Sequence, residues 1–420
     1  MLSLSDIRKI LDSGKPVVWT MHDMWPATAI CHLTLGCRKF TTGCSACPLL
    51  PAGLFGDTAR HVWRKKQRLL KGGGRLIFVA CSKWLASEAR QSKLLEGKSV
   101  VSIPNPIDRR VFCPGDKAEA RRLLGLPEGR RLMLFVAQRV SSGNKGAAYL
   151  IEACRLLSER HPDIAANMGI VMLGGSGIEL AGQFAIPAYP LGYVSDTERI
   201  VAAYRAADLF VMPSLSENLP NTIMEAMACG VPCVGFNTGG IPEMIDHRRN
   251  GYVAAYKDAA DLAAGIRWAL ADADAEELGR NAGPQGLGVL LTAKRGHQVH
   301  RGVQPSRGLQ TLQPMIKFSI VTITFNAEGR LAPKPSRSVA RQGYPAIEHM
   351  LSTGVGRRHA GRGRRLQEAL RQRRQRPCRG HKLRARPRTL RRHEQRAGPG
   401  HGRLCVLSQR RRLACPIPTP

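Results

Sequence analysis

The sequence predicts an α/β protein built on parallel sheets, and two features of the chain carry this prediction. First, residues 209–243 contain an apolar run at 209–212, a polar loop, a helical pattern at 222–229 and a second apolar run at 231–236. Second, short apolar runs at 132–137 and 170–173 each lead into a loop rich in glycine or polar residues. Strands that alternate with helices in this way form parallel sheets, and ligands bind at the carboxyl ends of such strands.

The first part of the chain also follows this alternation. Residues 4–14 show the period of a short amphipathic helix that ends at Gly14. Apolar runs predict strands at 16–21, 76–80 and 100–104, and a helix is predicted to start at Ser82. The turn-rich sequence around 112–118 indicates a domain boundary, so that residues 1–112 and 113–284 form two domains.

Further helices are predicted in the second domain. The patterns place one helix at 200–207 and one continuous helix, rich in alanine and acidic residues, at 258–280. The helix at 222–229 is expected to end at Gly230, with Pro232 just beyond it.

The positive charge of the chain is concentrated near its C-terminus. The net charge is +33, but residues 351–420 hold 20 Arg and one Lys against two Glu, which accounts for +19 of it. These residues lack the aromatic side chains that accompany nucleic-acid binding, so a disordered Arg-rich tail at 350–420 is predicted, and nucleic acid is a disfavoured partner. The sequence has no run of about 18 apolar residues and no signal-peptide pattern, which predicts a cytoplasmic protein with mostly reduced cysteines.

Two carboxylates bracket the loop and helix that follow residue 212. Glu217 lies in the loop and Glu225 lies about one turn into the helix, so both can face a crevice at the sheet edge. The helix start offers free N–H groups to a phosphate, and carboxylates accept hydrogen bonds from sugar hydroxyls. From residue types alone, a capping Glu and a solvated loop Glu are an equally good interpretation.

The residues around these carboxylates resemble a known family. Glu217-Asn218-Leu219-Pro220-Asn221, followed by Glu225 and the segment 226–232, resembles the E-x7-E signature of glycosyltransferase family 4. That family comprises retaining enzymes of the GT-B fold, in which two Rossmann-like domains face each other across a cleft. The resemblance implies that Glu217 contacts the donor sugar and that Glu225 holds the ribose hydroxyls. It also places Asn218, Leu219 and Pro220 in the donor site.

A histidine is predicted on the opposite side of this cleft. His22 and Asp23 follow the strand at 16–21, where an imidazole can polarise a phosphate or an acceptor hydroxyl. A histidine that only caps a turn is the alternative. The run KPVVWTMHDMW resembles the strand that delivers an active-site histidine in family 4, which implies this role for His22 and, as a secondary candidate, for Asp23.

The loops of the second domain supply the remaining donor contacts. Arg139 and Lys145 flank a loop before a helix, where they can clamp a pyrophosphate from two sides. The resemblance implies that they neutralise the departing diphosphate, so that no divalent ion is required. Gly174 and Gly175 allow the backbone to approach a ligand closely, and Tyr193 lies in a segment that resembles the base-binding segment of the family.

Four cysteines lie close together after the first strand. Cys31, Cys37, Cys44 and Cys47 fall within one short loop, with Cys44 and Cys47 in C-x2-C spacing. Such a set suggests a structural zinc site, and unligated loop cysteines are the alternative. A similar HDMW and cysteine pattern occurs in a subgroup of family 4 that acts in capsule or exopolysaccharide assembly.

A basic amphipathic segment follows the cysteines. Residues 61–71 are basic but contain Val62, Trp63, Leu69 and Leu70 as apolar positions. Such a helix can lie peripherally on the inner face of an anionic membrane, which suits a lipid-linked acceptor. A solvated helix that packs through its leucines is the simpler interpretation.

The resemblance to family 4 covers about residues 4–284 and stops within the pattern at both ends. Members of the family begin with further strand–helix units, so the first domain is expected to be incomplete. Residues 285–314 are a linker of no clear fold, and residues 315–349 resemble the start of a family 2 glycosyltransferase of the GT-A fold. We hypothesise that reading-frame changes joined parts of two genes.

Together these patterns predict a retaining glycosyltransferase of polysaccharide biosynthesis. It is expected to move a sugar from a nucleotide-sugar donor to a glycan or a lipid-linked saccharide. Two alternatives remain open, namely an inactive fragment of such an enzyme and a basic nucleic-acid-binding protein.

Overall fold

The structure is a computed structural model that describes most of residues 3–283 and three later strands. The described residues are 3–14, 16–50, 57–71, 76–139, 143–283, 318–325, 347–354 and 406–408, the last three ranges and residues 138–139 by their backbone alone. The predicted linker at 285–314 lies outside the described residues, as do most of residues 315–349 and 350–420.

The elements alternate between helix and strand along most of the described chain. The helices are α1 (Leu4–Leu11), α2 (Thr58–Leu70), α3 (Lys83–Arg90), α4 (Lys117–Leu124), α5 (Ala147–Arg160), α6 (Pro162–Ala166), α7 (Gly177–Ala181), α8 (Thr197–Ala206), α9 (Asn221–Ala228), α10 (Ala259–Arg267) and α11 (Ala275–Ala282). The strands are β1 (Val17–Met21), β2 (Leu76–Ala80), β3 (Ser99–Ser102), β4 (Arg131–Arg139), β5 (Met168–Gly175), β6 (Ala188–Gly192), β7 (Leu209–Met212), β8 (Cys233–Phe236), β9 (Gly251–Ala254), β10 (Phe318–Phe325), β11 (Ile347–Gly354) and β12 (Val406–Ser408). Short 3-10 turns occupy Trp25–Ala27, Lys39–Thr41, Gly143–Lys145 and Ile241–Glu243.

The chain divides into two compact units, residues 1–19 with 306–420 and residues 20–305. In the first unit, α1 starts with a capping box in which Ser3 and Asp6 satisfy each other's backbone N–H groups. Strand β10 pairs in parallel with both β11 and β12. The predicted opening strand after Met315 therefore has strand backbone.

The second unit contains a six-stranded parallel sheet in the order β6-β5-β4-β7-β8-β9. This is the doubly wound order, in which the chain runs outward from β4 on one side and from β7 on the other. Successive crossovers leave the sheet on opposite sides at this junction, so a crevice forms at the carboxyl ends of β4 and β7. Strands β2 and β3 also pair in parallel.

Apolar side chains cover both faces of this sheet, which explains why its strands appear as continuous apolar runs. Alternate residues of a strand point to opposite faces. Leu132, Leu134 and Phe210 belong to one buried cluster, which includes side chains of α8 and α9. Met133 and Phe135 belong to a second cluster, which includes side chains of α5 and α10.

The prediction of one continuous helix at 258–280 is wrong. Helix α10 ends at Arg267, a π-helical turn follows at Trp268–Asp272, and α11 begins separately at Ala275. The carboxylate of Asp274 accepts hydrogen bonds from the backbone N–H groups of Glu276 and Glu277. This N-cap starts a new helix inside a run whose composition is helical throughout.

The structure gives no support to the membrane-surface interpretation of residues 61–71. These residues form most of α2, and Trp63, Leu69 and Leu70 are buried in the protein. Because the apolar side of the helix is already packed, it offers no comparable surface to a lipid bilayer. Among the described residues, no helix has both the length and the apolar character required to cross a membrane.

Candidate active site

Opposite charges meet at the crevice between β4 and β7. Lys145 ends the 3-10 turn that follows β4, and Glu217 lies in the loop that follows β7. The Nζ atom of Lys145 forms an ion pair with Oε1 of Glu217, and both side chains are largely buried. The structure therefore brings together two residues that the sequence predicted as catalytic and that lie 72 positions apart.

The loops that carry this ion pair are joined by backbone contacts. The N–H of Leu215 donates to the carbonyl of Asn144 at 2.9 Å, and the Asn144 side-chain amide donates to the carbonyl of Ser216 at 3.2 Å. Gly146 has a positive φ of +68°, and a Cβ there would lie 1.8 Å from the carbonyl oxygen of Pro213. Only glycine permits this close approach of the two loops.

A second glycine supports Glu217 from the other side. Gly239 has a φ of +59°, and a Cβ at this position would lie 1.6 Å from the carbonyl oxygen of Glu217. The hydroxyl of Thr238 lies 3.4 Å from the carbonyl of Leu215. The loop that follows β8 therefore lies directly against the backbone that carries Glu217.

Helix α9 places Glu225 beside the same loop. The helix starts after Pro220, which provides no side-chain cap for its first N–H groups, and Leu219 is buried. Oε2 of Glu225 accepts a hydrogen bond of 2.7 Å from the hydroxyl of Tyr204, a buried residue of α8. Burial, followed by the Glu225 charge, raises the pKa of Tyr204 well above its ordinary value, so the phenol remains a donor.

His22 lies at the carboxyl end of β1, next to the loop of Glu217. Its carbonyl accepts a hydrogen bond of 3.1 Å from the amide of Asn218, and its Nδ1 atom lies 3.2 Å from Sγ of Cys81. The Asn218 amide oxygen accepts a bond of 2.5 Å from the hydroxyl of Ser82. Asn218, which was predicted as a donor-site residue, therefore connects the β7–α9 loop to residues that follow β1 and β2.

The carboxylate of Asp23 forms hydrogen bonds within the loop that follows β1. One carboxylate oxygen accepts from the N–H of Trp25 at 2.8 Å, and the other lies 2.9 Å from Nδ1 of His32. The hydrogen bond to Asp23 is the main cause that raises the pKa of His32. Nearby, Lys66 is buried and donates to the carbonyls of Trp25 and Thr28.

The remaining predicted donor residues lie at the same sheet edge. Arg139 ends β4, and its backbone is paired in register with Gly175 at the end of β5. Gly174 precedes Gly175 with a φ of +145°. Tyr193 follows β6, and its side chain is 70% exposed. The Arg139 side chain lies outside the described part of the structure, so its role stays a prediction.

The structure does not form the zinc site predicted at Cys31, Cys37, Cys44 and Cys47. Within the described residues, no group of three or more His, Cys, Asp or Glu side chains is arranged to hold a metal ion. The four residues have free thiols, and burial, followed by the neighbouring thiols, raises the pKa of Cys31 to about 11.

Hydrogen bonds from neighbouring side chains and backbone hold the cysteine loop. The ammonium of Lys39 donates to the carbonyls of Ser45 and Ala46 at 3.1 and 2.7 Å. The N–H of Ala46 donates to the carboxylate of Asp57 at 3.0 Å. These contacts fix the backbone of the loop on both sides of Ala46.

Several residues at the site were not predicted from the sequence. Tyr204 contacts Glu225, Cys81 contacts His22, and the carboxylate of Glu243 accepts hydrogen bonds from the N–H groups of Lys83 and Trp84. The Glu243 contacts join residues 159 and 160 positions apart. No local spacing rule connects such distant residues, although an acidic residue three positions after Gly240 was a visible signal.

Comparison with known families identifies the sheet that carries the site. Residues 130–272 match the family profile described as "Glycosyl transferases group 1". This range includes Lys145, Glu217 and Glu225 together with all six strands of the parallel sheet. Residues 130–272 are therefore similar to the domain of group 1 glycosyl transferases.

Curated relatives share this part of the chain. A D-inositol 3-phosphate glycosyltransferase of Actinosynnema mirum is 32% identical over 196 residues, which cover 44% of this chain and 46% of that protein. The corresponding protein of Kribbella flavida is 31% identical over 243 residues, which cover 53% of this chain and 57% of the relative. The chain thus spans about half the length of the curated relatives it matches.

Solved structures share the fold. Anabaena HepE in complex with UDP is 19% identical, with a TM-score of 0.53 and coverage of 71% of this chain and 76% of that chain. Sucrose-phosphate synthase from Thermosynechococcus elongatus is 22% identical, with a TM-score of 0.51 and coverage of 68% and 66%. The predicted GT-B-type α/β fold is confirmed by these neighbours, whereas the comparisons give no support to the family 2 resemblance at 315–349.

Proposed function

We propose that the protein is a retaining glycosyltransferase that uses a nucleotide-sugar donor. The observation that carries the proposal is the pair of Lys145 and Glu217 at the crevice between β4 and β7. A cation and a carboxylate at this position can bind the two parts of such a donor, the diphosphate and the sugar hydroxyls.

The diphosphate is proposed to bind between Lys145 and the start of α5. This helix has 14 residues and no side-chain cap, so its first N–H groups and its dipole favour an anion. Arg139, at the end of β4, adds a second cation in the proposal. When the diphosphate binds, Lys145 transfers its contact from Glu217 to phosphate, and Glu217 becomes free to accept bonds from the sugar.

The nucleoside is proposed to bind beside α9, with Glu225 on the ribose hydroxyls. Anabaena HepE, which has the same fold, was solved in complexes with UDP and with UDP-glucose. A uridine nucleotide is therefore the first donor to test. Gly174, Gly175 and Tyr193 complete the proposed donor site at the ends of β5 and β6.

In the proposed transfer, the bond from C1 of the sugar to the diphosphate oxygen breaks. The acceptor hydroxyl oxygen forms the new bond to C1 on the same face, and its proton passes to the departing diphosphate. Lys145 and Arg139 stabilise the negative charge that develops on the diphosphate, a contribution worth about 10²–10³ in rate for one well-placed group. His22 lies on the acceptor side of the proposed reacting centre.

The acceptor is proposed to be a glycan or a lipid-linked saccharide, and the pathway to be polysaccharide biosynthesis. The curated relatives are named for an inositol phosphate acceptor, which makes a phosphorylated polyol a second acceptor class to test. Product analysis with each class separates the two. The proton NMR coupling constant at C1 of the product reports retention or inversion.

The experiment that tests the donor site is calorimetric titration with UDP, GDP and ADP. The wild-type protein is expected to bind one of them, and Glu225→Ala is expected to bind it about 10–100-fold more weakly, because a charged hydrogen-bond acceptor is lost. Glu152→Ala removes an exposed carboxylate of α5 and serves as the matched control. Equal affinity of Glu225→Ala and wild type contradicts the assignment of the ribose site.

A further inference from the structure

We propose that Tyr204 is a positioning residue for nucleotide recognition, because it fixes the carboxylate of Glu225 in the orientation that receives ribose hydroxyls. The inference rests on the proposed function, since it assigns to Glu225 the ribose contact. It adds a residue outside the signature 217–232, on a different helix.

The contact between the two side chains is direct. The Tyr204 hydroxyl lies 2.7 Å from Oε2 of Glu225, within the range of a strong hydrogen bond to a carboxylate. The two residues lie on α8 and α9, on either side of β7 in the sequence. A hydrogen bond between them therefore connects the orientation of Glu225 to the position of α8.

The Tyr204 ring cannot follow a movement of Glu225. It is 1% exposed and lies at 6.1 Å from the ring of Phe112 in an edge-to-face contact and at 6.0 Å from the ring of Phe210. Aromatic neighbours at these distances restrict a buried ring to one rotamer. The hydroxyl is consequently a fixed donor, and the more exposed carboxylate adjusts to it.

A fixed donor on Oε2 has a consequence for recognition. Without this donor, the carboxylate has one contact fewer to fix its terminal torsion, which has broad minima, and ordering it when the ribose binds costs more entropy. With it, the carboxylate is oriented before the nucleotide arrives, which raises affinity through preorganisation. The gain in affinity applies only to nucleotides with a ribose hydroxyl that donates a hydrogen bond to Glu225.

A purely structural role for Tyr204 makes a different prediction. A buried tyrosine hydroxyl usually has a partner whatever the function, and its loss then lowers stability alone. The chain offers a matched control for this case, because the hydroxyl of Tyr252 lies 2.7 Å from Oδ1 of Asp261. Tyr252 is also buried but lies on β9, and its partner lies on α10.

The experiment compares the binding of UDP with that of 2′-deoxy-UDP and 3′-deoxy-UDP by calorimetry. If the titration with UDP, GDP and ADP shows that the protein binds GDP or ADP instead, the deoxy analogues of that nucleotide are used. Wild type is expected to prefer the ribonucleotide over at least one deoxy analogue by about tenfold, the value of one hydrogen bond to a charged group. Tyr204→Phe is expected to reduce this preference about threefold or more and to leave the affinity for that analogue unchanged. Tyr252→Phe is expected to keep the full preference.

A double variant shows whether Tyr204 acts through Glu225. Glu225→Gln is expected to lose the preference, and adding Tyr204→Phe to it is expected to change nothing further. If Tyr204→Phe keeps the full preference while Glu225→Gln loses it, the inference is overturned and the proposed function stands. If wild type binds no nucleoside diphosphate, both are overturned.

A second variant covers the case in which Tyr204→Phe does not fold. Phe112→Leu removes the aromatic ring that packs against Tyr204 but leaves the Tyr204 hydroxyl in place. It is expected to reduce the ribose preference in the same direction. A folded Phe112→Leu protein with the full preference counts against a fixed donor.

Discussion

At the scale of single residues, the candidate site depends on close backbone contacts as much as on charged side chains. Lys145 and Glu217 supply the charges, but Gly146 and Gly239 determine how near their loops can lie to neighbouring backbone. Both glycines have positive φ and face a carbonyl oxygen at less than 2 Å from an added Cβ. A side chain at either position forces the loop to move.

Gly239→Ala is expected to disturb both stability and donor binding. The φ of +59° alone costs an alanine about 1–3 kcal/mol, and the new Cβ meets the carbonyl of Glu217 at 1.6 Å. We expect a lower melting temperature and at least tenfold weaker binding of the nucleotide selected by the panel, because a displacement of about 1 Å affects positioned groups strongly. Thermal unfolding and calorimetry measure the two effects.

Gly182→Ala is the control for this variant. Gly182 has a φ of −71°, and a Cβ there meets nothing within 4 Å. It is expected to keep the melting temperature and the affinity of wild type. A Gly239→Ala protein that behaves like Gly182→Ala refutes the importance of the backbone contact.

At the scale of elements, α2 shows how one buried charge connects a helix to an irregular loop. The ammonium of Lys66 lies 3.5 Å from the centre of the Trp25 ring and donates to the carbonyls of Trp25 and Thr28. Burial lowers the pKa of Lys66 to about 7. The loop at 25–28 is therefore attached to α2 by a group that changes its charge near neutral pH.

The stability that Lys66 contributes is expected to rise with pH. Below about pH 7 the lysine is protonated in both the folded and the unfolded protein, and the cost of burying its charge is fully present. Between about 7 and the ordinary value of 10.5, the unfolded protein binds more protons, so the free energy of unfolding rises with pH. Denaturant unfolding from pH 7 to 9 measures this dependence.

Lys66→Met removes the titrating group and two hydrogen bonds. The deficit of this variant relative to wild type is expected to grow by about 1 kcal/mol per pH unit over that range. Lys65→Met changes the exposed neighbour on α2 and is expected to show no such trend. A deficit for Lys66→Met that is constant with pH contradicts the depressed pKa.

The elements also show what the sequence reveals and what it does not. Strands β4, β5 and β7 were predicted within a few residues, because strands covered on both faces appear as uninterrupted apolar runs. Lys66 has the sequence context of a solvated helix, and its burial depends on carbonyls 38 and 41 residues away. Periodicity describes one element at a time and contains no information on such contacts.

The same limit applies to the site. Lys145 and Glu217 were predicted because each lies in a loop that follows a strand and because the two segments resemble those of glycosyltransferase family 4. Tyr204 precedes β7 inside an alanine-rich helix, where the sequence gives it the character of an ordinary core residue. The role proposed for it depends on the packing of α8 against α9, which only the tertiary structure defines.

At the scale of the whole molecule, the best-described unit is joined across its two predicted domains by a few polar contacts. The Ser82 hydroxyl donates to Asn218, and the N–H groups of Lys83 and Trp84 donate to the Glu243 carboxylate at 2.8 and 2.5 Å. Glu243 thus acts as a cap for α3, although it lies in the other predicted domain. A carboxylate at a helix N-terminus also interacts favourably with the helix dipole.

Glu243→Ala is expected to weaken the contact between the two predicted domains, because it removes the acceptor for the Lys83 and Trp84 N–H groups. Hydrogen bonds to a charged group are worth about 1.5–3 kcal/mol, so the Lys83 and Trp84 amides should exchange with solvent about tenfold faster or more in the variant. Hydrogen exchange followed by NMR or mass spectrometry measures this change. The amide of Leu85, which donates to the Ser82 hydroxyl, is expected to change less.

Asp246→Ala provides the matched control for the joint. Asp246 is an exposed acidic residue three positions further along, and it pairs with Arg249. Its removal is expected to leave the Lys83 and Trp84 amides protected as in wild type. Unchanged exchange at these two amides in Glu243→Ala refutes the capping role.

The Glu243 joint also bears on how such proteins recombine. The Glu243 carboxylate accepts hydrogen bonds from backbone N–H groups, so the contact does not depend on which side chains stand at positions 83 and 84. A chimera that takes residues 113–283 from a relative therefore needs an acidic side chain at the position of Glu243, while its partner half can have any residue with a backbone N–H group, that is any but proline, at 83 and 84. At this contact, only the residue at position 243 has to be kept when one half is exchanged, whereas the contact between Ser82 and Asn218 requires both side chains.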